Sequence, residues 1–187
     1  MEYVLRFFLC LLKWALIVVV VVTLCTAAFT FAMDYANINI LVTDGMKTRT
    51  GVVLGVTNPE ELPKFFTEEY LAGDLLLYDE TYHDFTINSF DAQVEIEKLT
   101  TRPWSSEAAV RLNETAVIDG ELPIALQTPE QLANPNKIRP PEWQGHTFEM
   151  RLEKIDGRWI IVDAVETEPA EVQDDGAAGA DPAPVGA

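Results

Sequence analysis

The chain has 187 residues, 48% hydrophobic and 23% charged, and 30 acids against 13 bases leave a formal charge of −17. That length supports one ordinary core beside a membrane segment, and not two. The charge excludes a nucleic-acid binder, because phosphate recognition needs a clustered Lys/Arg surface that no segment supplies.

Residues 14–33 read WALIVVVVVTLCTAAFTFAM and carry no charge. At about 1.5 Å per residue a helix of this length covers about 30 Å, the thickness of a bilayer's hydrocarbon core. Valine favours strands in water, but lipid offers backbone amides no outside partner, so a transmembrane helix is predicted despite the β-branching. Residues 1–13 then form a short cytoplasmic tail. Lys13 can snorkel to the head groups and Trp14 suits the aromatic belt, which makes both membrane-interface anchors. Arg6, Lys13 and the terminal amine flank one side, whereas Asp34 opens the other and no base follows before Lys47. This asymmetry predicts a single-pass protein of the cell membrane with its N-terminus cytoplasmic and its C-terminal domain extracytoplasmic. A cleaved signal peptide is the competing expectation, from the same basic residues and the small Thr26-Ala27-Ala28. The apolar run exceeds the usual about 7–15 residues and lacks an Ala-x-Ala site, which favours a retained signal anchor. Cys10 and Cys25 would stand about 22 Å apart along the helix, too far to bridge. The rest of the chain has no cysteine, so neither a disulfide framework nor a thiolate metal site is available there.

Residues 34–57 place Ile38, Leu41, Val42, Met46, Val52, Val53 and Val56 at mostly helical spacing, predicting a juxtamembrane continuation of the same helix, which needs no new nucleus. Asn58-Pro59-Glu60-Glu61 supplies an N-cap, a first-turn proline and early acids, so a second helix should start there, carry Leu62, Phe65, Phe66 and Tyr70 on one side, and end near Gly73. Residues 74–78 fit another short helical turn. Beyond Thr81 the period becomes two, with Phe85, Ile87, Val94, Ile96 and Leu99 alternating with polar neighbours as in a half-buried strand. Arg102-Pro103-Trp104-Ser105 interrupts the sheet, residues 109–118 resume it, and Asp119-Gly120 should stop it. Five prolines make 120–143 a long irregular connection. Residues 146–155 and 158–165, joined by Asp156-Gly157, form a β-hairpin, since Asp-Gly accepts the positive φ angles of a primed turn. The acidic Ala/Gly/Pro-rich tail 167–187 has too little apolar surface to offset ordering entropy and should be disordered.

Helices followed by a meandering antiparallel sheet define an α+β class, with the early helices packed across a curved, cone-like sheet over residues 58–166. Lys154-Ile155-Asp156-Gly157-Arg158-Trp159 resembles the final hairpin of the nuclear transport factor two-like superfamily, which includes ketosteroid isomerase. With a single membrane helix and a short inner tail, the layout over about residues 35–166 also resembles the bitopic scaffold components of conjugation and type IV secretion machines. The first likeness implies a cone that can hold a small molecule, and the second implies an extracytoplasmic scaffold. The enzyme members place strands between their helices, whereas here the helices precede the sheet.

Candidate chemistry is sparse. Asp79, Glu80, His83 and Asp84 set carboxylates beside an imidazole, as acid/base or metal chemistry requires, but an acid-rich chain places carboxylates near any histidine. An isomerase-like site would draw on Tyr70, Tyr78, Tyr82 and Asp91 converging in the cone. A cone filled by Phe85, Val94, Leu112 and Phe148 would leave no room for it. Pro103 and Trp104 are the candidate partner-binding pair, against the alternative that Trp104 is core. Asn113-Glu114-Thr115 is a glycosylation sequon placed mid-strand. Gly51 and Gly55 have a helix-packing spacing that would serve self-association, but outside lipid flexible backbone explains the pair equally well. Phosphate-loop, nucleophile-elbow, zinc-helix and EF-hand patterns are absent. No catalytic, cofactor-binding or metal residue is therefore assigned and no cofactor is expected. The expected function is a membrane-anchored protein-interaction or envelope-complex scaffold rather than an enzyme, with the bilayer and a protein or a second copy as partners. A tethered small-molecule-binding or ketosteroid-isomerase-like enzyme is the alternative. The acidic domain is expected to stand off anionic lipid.

Overall fold

The computed structural model describes residues 2–132 and 138–169. The architecture is α+β: one 52-residue helix, α1 (Glu2–Val53), then short helical segments, then a four-stranded antiparallel sheet. The stretch Leu11–Val53 of α1 is long and apolar enough to cross a membrane. Beyond Asp34 its character changes from apolar all round to amphipathic. Ile38, Val42, Met46 and Thr50 recur every fourth residue and are fully buried, while Ile40 is exposed, as one stripe of a helix laid on a sheet requires.

The helix stops at Val53 rather than at 57, because the chain turns left-handed at Gly55 (φ 70°). The Val56 N–H donates to the Gly51 carbonyl at 2.9 Å and the Gly55 N–H to the Val52 carbonyl at 3.0 Å, which is the Schellman pairing. Gly51 is buried, and a Cβ there would collide with the Thr57 hydroxyl. The Gly51/Gly55 spacing is thus a helix stop inside the domain and not a helix-packing face.

The single helix expected over 58–73 is two segments. Asn58 caps a 3-10 helix, Pro59–Lys64, by accepting from the Glu60 N–H at 3.1 Å, and α2 spans Glu68–Gly73 with Thr67 as its cap. Pro63 has no N–H to continue an α-ladder. Between the segments the Ile161 N–H donates to the Phe65 carbonyl at 2.9 Å and the Thr67 N–H donates back to Ile161 at 3.0 Å. This parallel bridge pulls the chain straight and seats Phe66 in the core. Asp74 then caps a second 3-10 helix, Leu75–Tyr78.

The strands are β1 (Thr86–Thr101), β2 (Glu107–Glu121), β3 (His146–Ile155) and β4 (Arg158–Pro169), in spatial order β1-β2-β3-β4. Register shifts interrupt the β1–β2 and β3–β4 ladders and bend the sheet around α1. Asp119 and Gly120 lie within β2 instead of ending it: Gly120 pairs with Ile87, and a Cβ would sit 2.8 Å from the Thr86 carbonyl oxygen. Asp156 (φ 50°) and Gly157 (φ 80°) make the primed turn between β3 and β4. β4 runs to Pro169, so residues 167–169 are strand rather than tail; the remainder of the expected disordered tail lies outside the described residues.

The main core joins the α1 stripe to Leu62 and Phe66 and to the inward residues Val110, Leu112, Phe148, Met150, Leu152, Trp159 and Ile161. Val94 packs half-buried against it, and Phe85 is half-buried outside it. A smaller cluster of Val53, Leu54 and Tyr82 sits at the far end of α1, where Trp143 stacks on Tyr82 at 5.9 Å. Trp143 comes from the connection 122–145, which holds only a 3-10 turn (Ile124–Leu126) and α3 (Pro129–Leu132) among its described residues.

Candidate functional site

The stripe that buries Ile38, Val42 and Met46 continues one turn further into Arg49 and Thr50. Along β2 the period of two does the same, since Val110 and Leu112 are followed inward by Glu114. Two charged residues therefore occupy core positions, Arg49 at 3% exposure and Glu114 at 0%. Asp74 meets them from the cap of the second 3-10 helix. Its carboxylate takes two bonds from Arg49, Nε to Oδ2 at 2.5 Å and Nη2 to Oδ1 at 2.9 Å, the bidentate geometry a guanidinium favours. The guanidinium also lies 5.3 Å from the Phe148 ring centroid. Burial alone would depress the Arg49 pKa, but Asp74 holds it above its ordinary value.

Glu114 is bound differently. Arg49 Nη1 lies 3.7 Å from Glu114 Oε2, beyond hydrogen-bond reach, and neither atom has a hydrogen-bond partner among the described residues. The other oxygen, Oε1, contacts the Thr50 hydroxyl, which also lies 3.0 Å from the Met46 carbonyl. A hydroxyl has one proton to give. Both contacts are satisfied when Thr50 donates to Met46 and a protonated Glu114 donates to Thr50. Burial pushes the Glu114 carboxyl up in the same direction, against the pull of Arg49 and Thr50. With Glu114 protonated, the buried set would hold one guanidinium and one carboxylate and carry no net charge.

Arg49 and Asp74 of this cluster form the floor of a cavity of about 890 Å³ bounded by residues 67–76 on one side and by β3 and β4 on the other. Tyr70 stands in the wall, where burial pushes its phenol up to about 12 against the pull of Arg49. Five carboxylates line the cup against two guanidiniums. Asp74 is consumed by Arg49 and Glu153 pairs with Arg151 at 3.5 Å. His146 Nδ1 lies 2.8 Å from Glu166. Glu69, Asp163 and Glu166 therefore leave the rim acidic.

The residues singled out from the sequence lie elsewhere. Asp79 accepts from the Thr81 amide at 3.0 Å and hydroxyl at 2.7 Å in a surface turn, and His83 is exposed. No group of three or more His, Cys, Asp or Glu able to hold a metal occurs among the described residues. Tyr70 lines the cup, Tyr82 belongs to the smaller cluster, and Tyr78 and Asp91 are exposed, so the four do not converge. The Asn113 side chain is engaged on both sides, by Glu97 at 2.9 Å and Thr147 at 2.8 Å. Pro103 and Trp104 occupy the turn between β1 and β2, where Trp104 is 80% exposed with φ 63°, so it is not core. Lys13 and Trp14 lie exposed on α1 at the start of the apolar run. Comparison of the chain with protein-family models, curated proteins and solved structures finds no match.

Proposed function

We propose that the protein is a single-pass, membrane-anchored extracytoplasmic domain that acts as a binding component of an envelope complex, its acidic cup receiving a basic segment of a partner protein. The observation that carries this reading is the unbroken α1, whose first half has the composition of a bilayer span and whose second half is the core of the sheet domain. A domain mounted this way holds its cup at a fixed height and heading. The acidic rim favours a cationic partner and raises its local concentration. The buried floor is spent on holding α1, the second 3-10 helix and β2 together, which suits a binding surface better than a reaction centre. A single apolar helix ahead of an α+β domain is in keeping with the likeness to bitopic secretion scaffolds. The N-terminus is cytoplasmic, as the flanking bases suggest.

The test places a photo-crosslinking residue at Leu75, which is 84% exposed in the cup wall, in the full chain in its native membrane. The expected result is a protein adduct that disappears when Glu69, Asp163 and Glu166 are replaced by lysine. An adduct indifferent to that charge reversal, or release of the chain by alkaline extraction, would overturn the proposal.

A further inference from the structure

Heights above the candidate span can be read from two contacts. Near the end of the apolar run, Asp34 Oδ1 accepts from Lys154 Nζ at 2.7 Å and from Trp159 Nε1 at 3.1 Å. Further along α1, Thr50 meets Glu114, whose cross-strand partner is His146. From Asp34 to Thr50 the helix advances about 24 Å. From Lys154 to His146 the strand spans about 26 Å. The agreement means that β3 runs alongside α1 in the opposite direction, so whatever lies past Lys154 lies below Asp34, beside the apolar run. Two turns do so. One is Ile155–Arg158. The other is the β1–β2 turn, tied to the first by the Lys154 N–H donating to the Ser106 carbonyl at 2.8 Å. Trp104 sits in that turn, beyond Ser106 on the same side.

The composition of these turns departs from the rest of the domain. Trp104 is 80% exposed and Ile155 41%. Arg102 and Arg158 are exposed against a single acid, Asp156, and neither arginine has an ion-pair partner among the described residues. An exposed indole flanked by arginines at the edge of an apolar span has the chemistry of the lipid head-group layer, where guanidinium groups pair with phosphate.

We infer that the tips of the two hairpins insert into the head-group layer of the bilayer that α1 spans, with Trp104 as the interfacial anchor and Arg102 and Arg158 on lipid phosphates. The inference rests on the membrane anchor proposed above. The acidic domain as a whole is repelled by anionic lipid, and these tips are the local exception that sets its standing height.

The experiment reconstitutes the full chain in phosphatidylcholine/phosphatidylglycerol vesicles carrying brominated acyl chains and compares it with Trp104→Asn, a residue that tolerates the positive φ. The wild-type minus variant emission isolates Trp104, and the variant retains Trp14 as a reporter on the span itself. The expected difference spectrum is blue-shifted, quenched by the brominated lipid and shielded from aqueous iodide. A Trp104 signal open to iodide and unquenched by lipid, while the variant's remaining emission is still quenched, would overturn the inference and leave the anchor standing. Shielding from iodide without lipid quenching would assign the tips to a protein contact instead and also overturns it. Loss of lipid quenching from every tryptophan, with release of the chain by alkaline carbonate, would remove the anchor and the inference together.

Discussion

Arg49 is the residue on which the domain's polar interior depends, because it neutralises the buried Asp74 carboxylate. Arg49→Ala should cost about 3–5 kcal/mol, the penalty for leaving a buried charge unpaired, measured by urea denaturation of the detergent-solubilised chain. Glu114→Gln should be nearly silent at low pH, since the amide has the shape of the neutral acid and keeps a donor for Thr50. The pH dependence has a definite sign. The folded pKa of Glu114 lies above its ordinary value of 4.5, so its contribution is complete below that value and is lost as pH rises through the folded pKa. The glutamine variant should therefore gain on the wild type as pH is raised above 4.5; a constant difference across that range would show an ionised Glu114 throughout. Both residues were legible as positions and not as roles. Arg49 continues the stripe of Ile38, Val42 and Met46, and Glu114 continues that of Val110 and Leu112, yet a charge in an acid-rich chain reads as solvated unless its partner is known. The partner, Asp74, comes from a third element.

Among the elements, the β3–β4 hairpin was legible up to its far end because its information is local: alternating apolar residues on either side of Asp156-Gly157. The split of residues 58–73 was not. It depends on Ile161 bonding to Phe65 and Thr67, a pairing that no window around Pro63 contains. Gly120 was misplaced for a similar reason, since Asp-Gly signals a turn locally whereas the glycine is needed for the close approach of Thr86 across the ladder. Gly120→Ala should destabilise by about 1–3 kcal/mol through overpacking against backbone. Gly157→Ala should cost about 1–2 kcal/mol for its left-handed φ alone. Thermal melts of the two variants check both values, and a Gly120→Ala melt equal to wild type would show that β1 can yield at this point.

The whole molecule is governed by the phase between the two halves of α1. The apolar run and the amphipathic extension were each legible from hydropathy and period. The rim of the cup was not, because it assembles acids from α2 and β4. Inserting four alanines after Tyr35 turns the extension by about 40° and lifts it by about 6 Å. The sheet domain should still fold on Ile38, Val42, Met46 and Thr50, but Asp34 loses Lys154 and Trp159. The expected readout is an unchanged far-UV spectrum and retention in alkaline-washed membranes, with lipid quenching of Trp104 lost. Quenching that survives the insertion would mean that the tips find the bilayer independently of the helix.

No joint interrupts α1 between Trp14 and Val53, and this gives the protein the mechanics of an axle. Rolling the buried half by one residue's angular step, about 100°, swings the cup through the same arc. In the anchored protein proposed above, a neighbour pressing on the span from within the bilayer would thus exert torque on a surface it never touches.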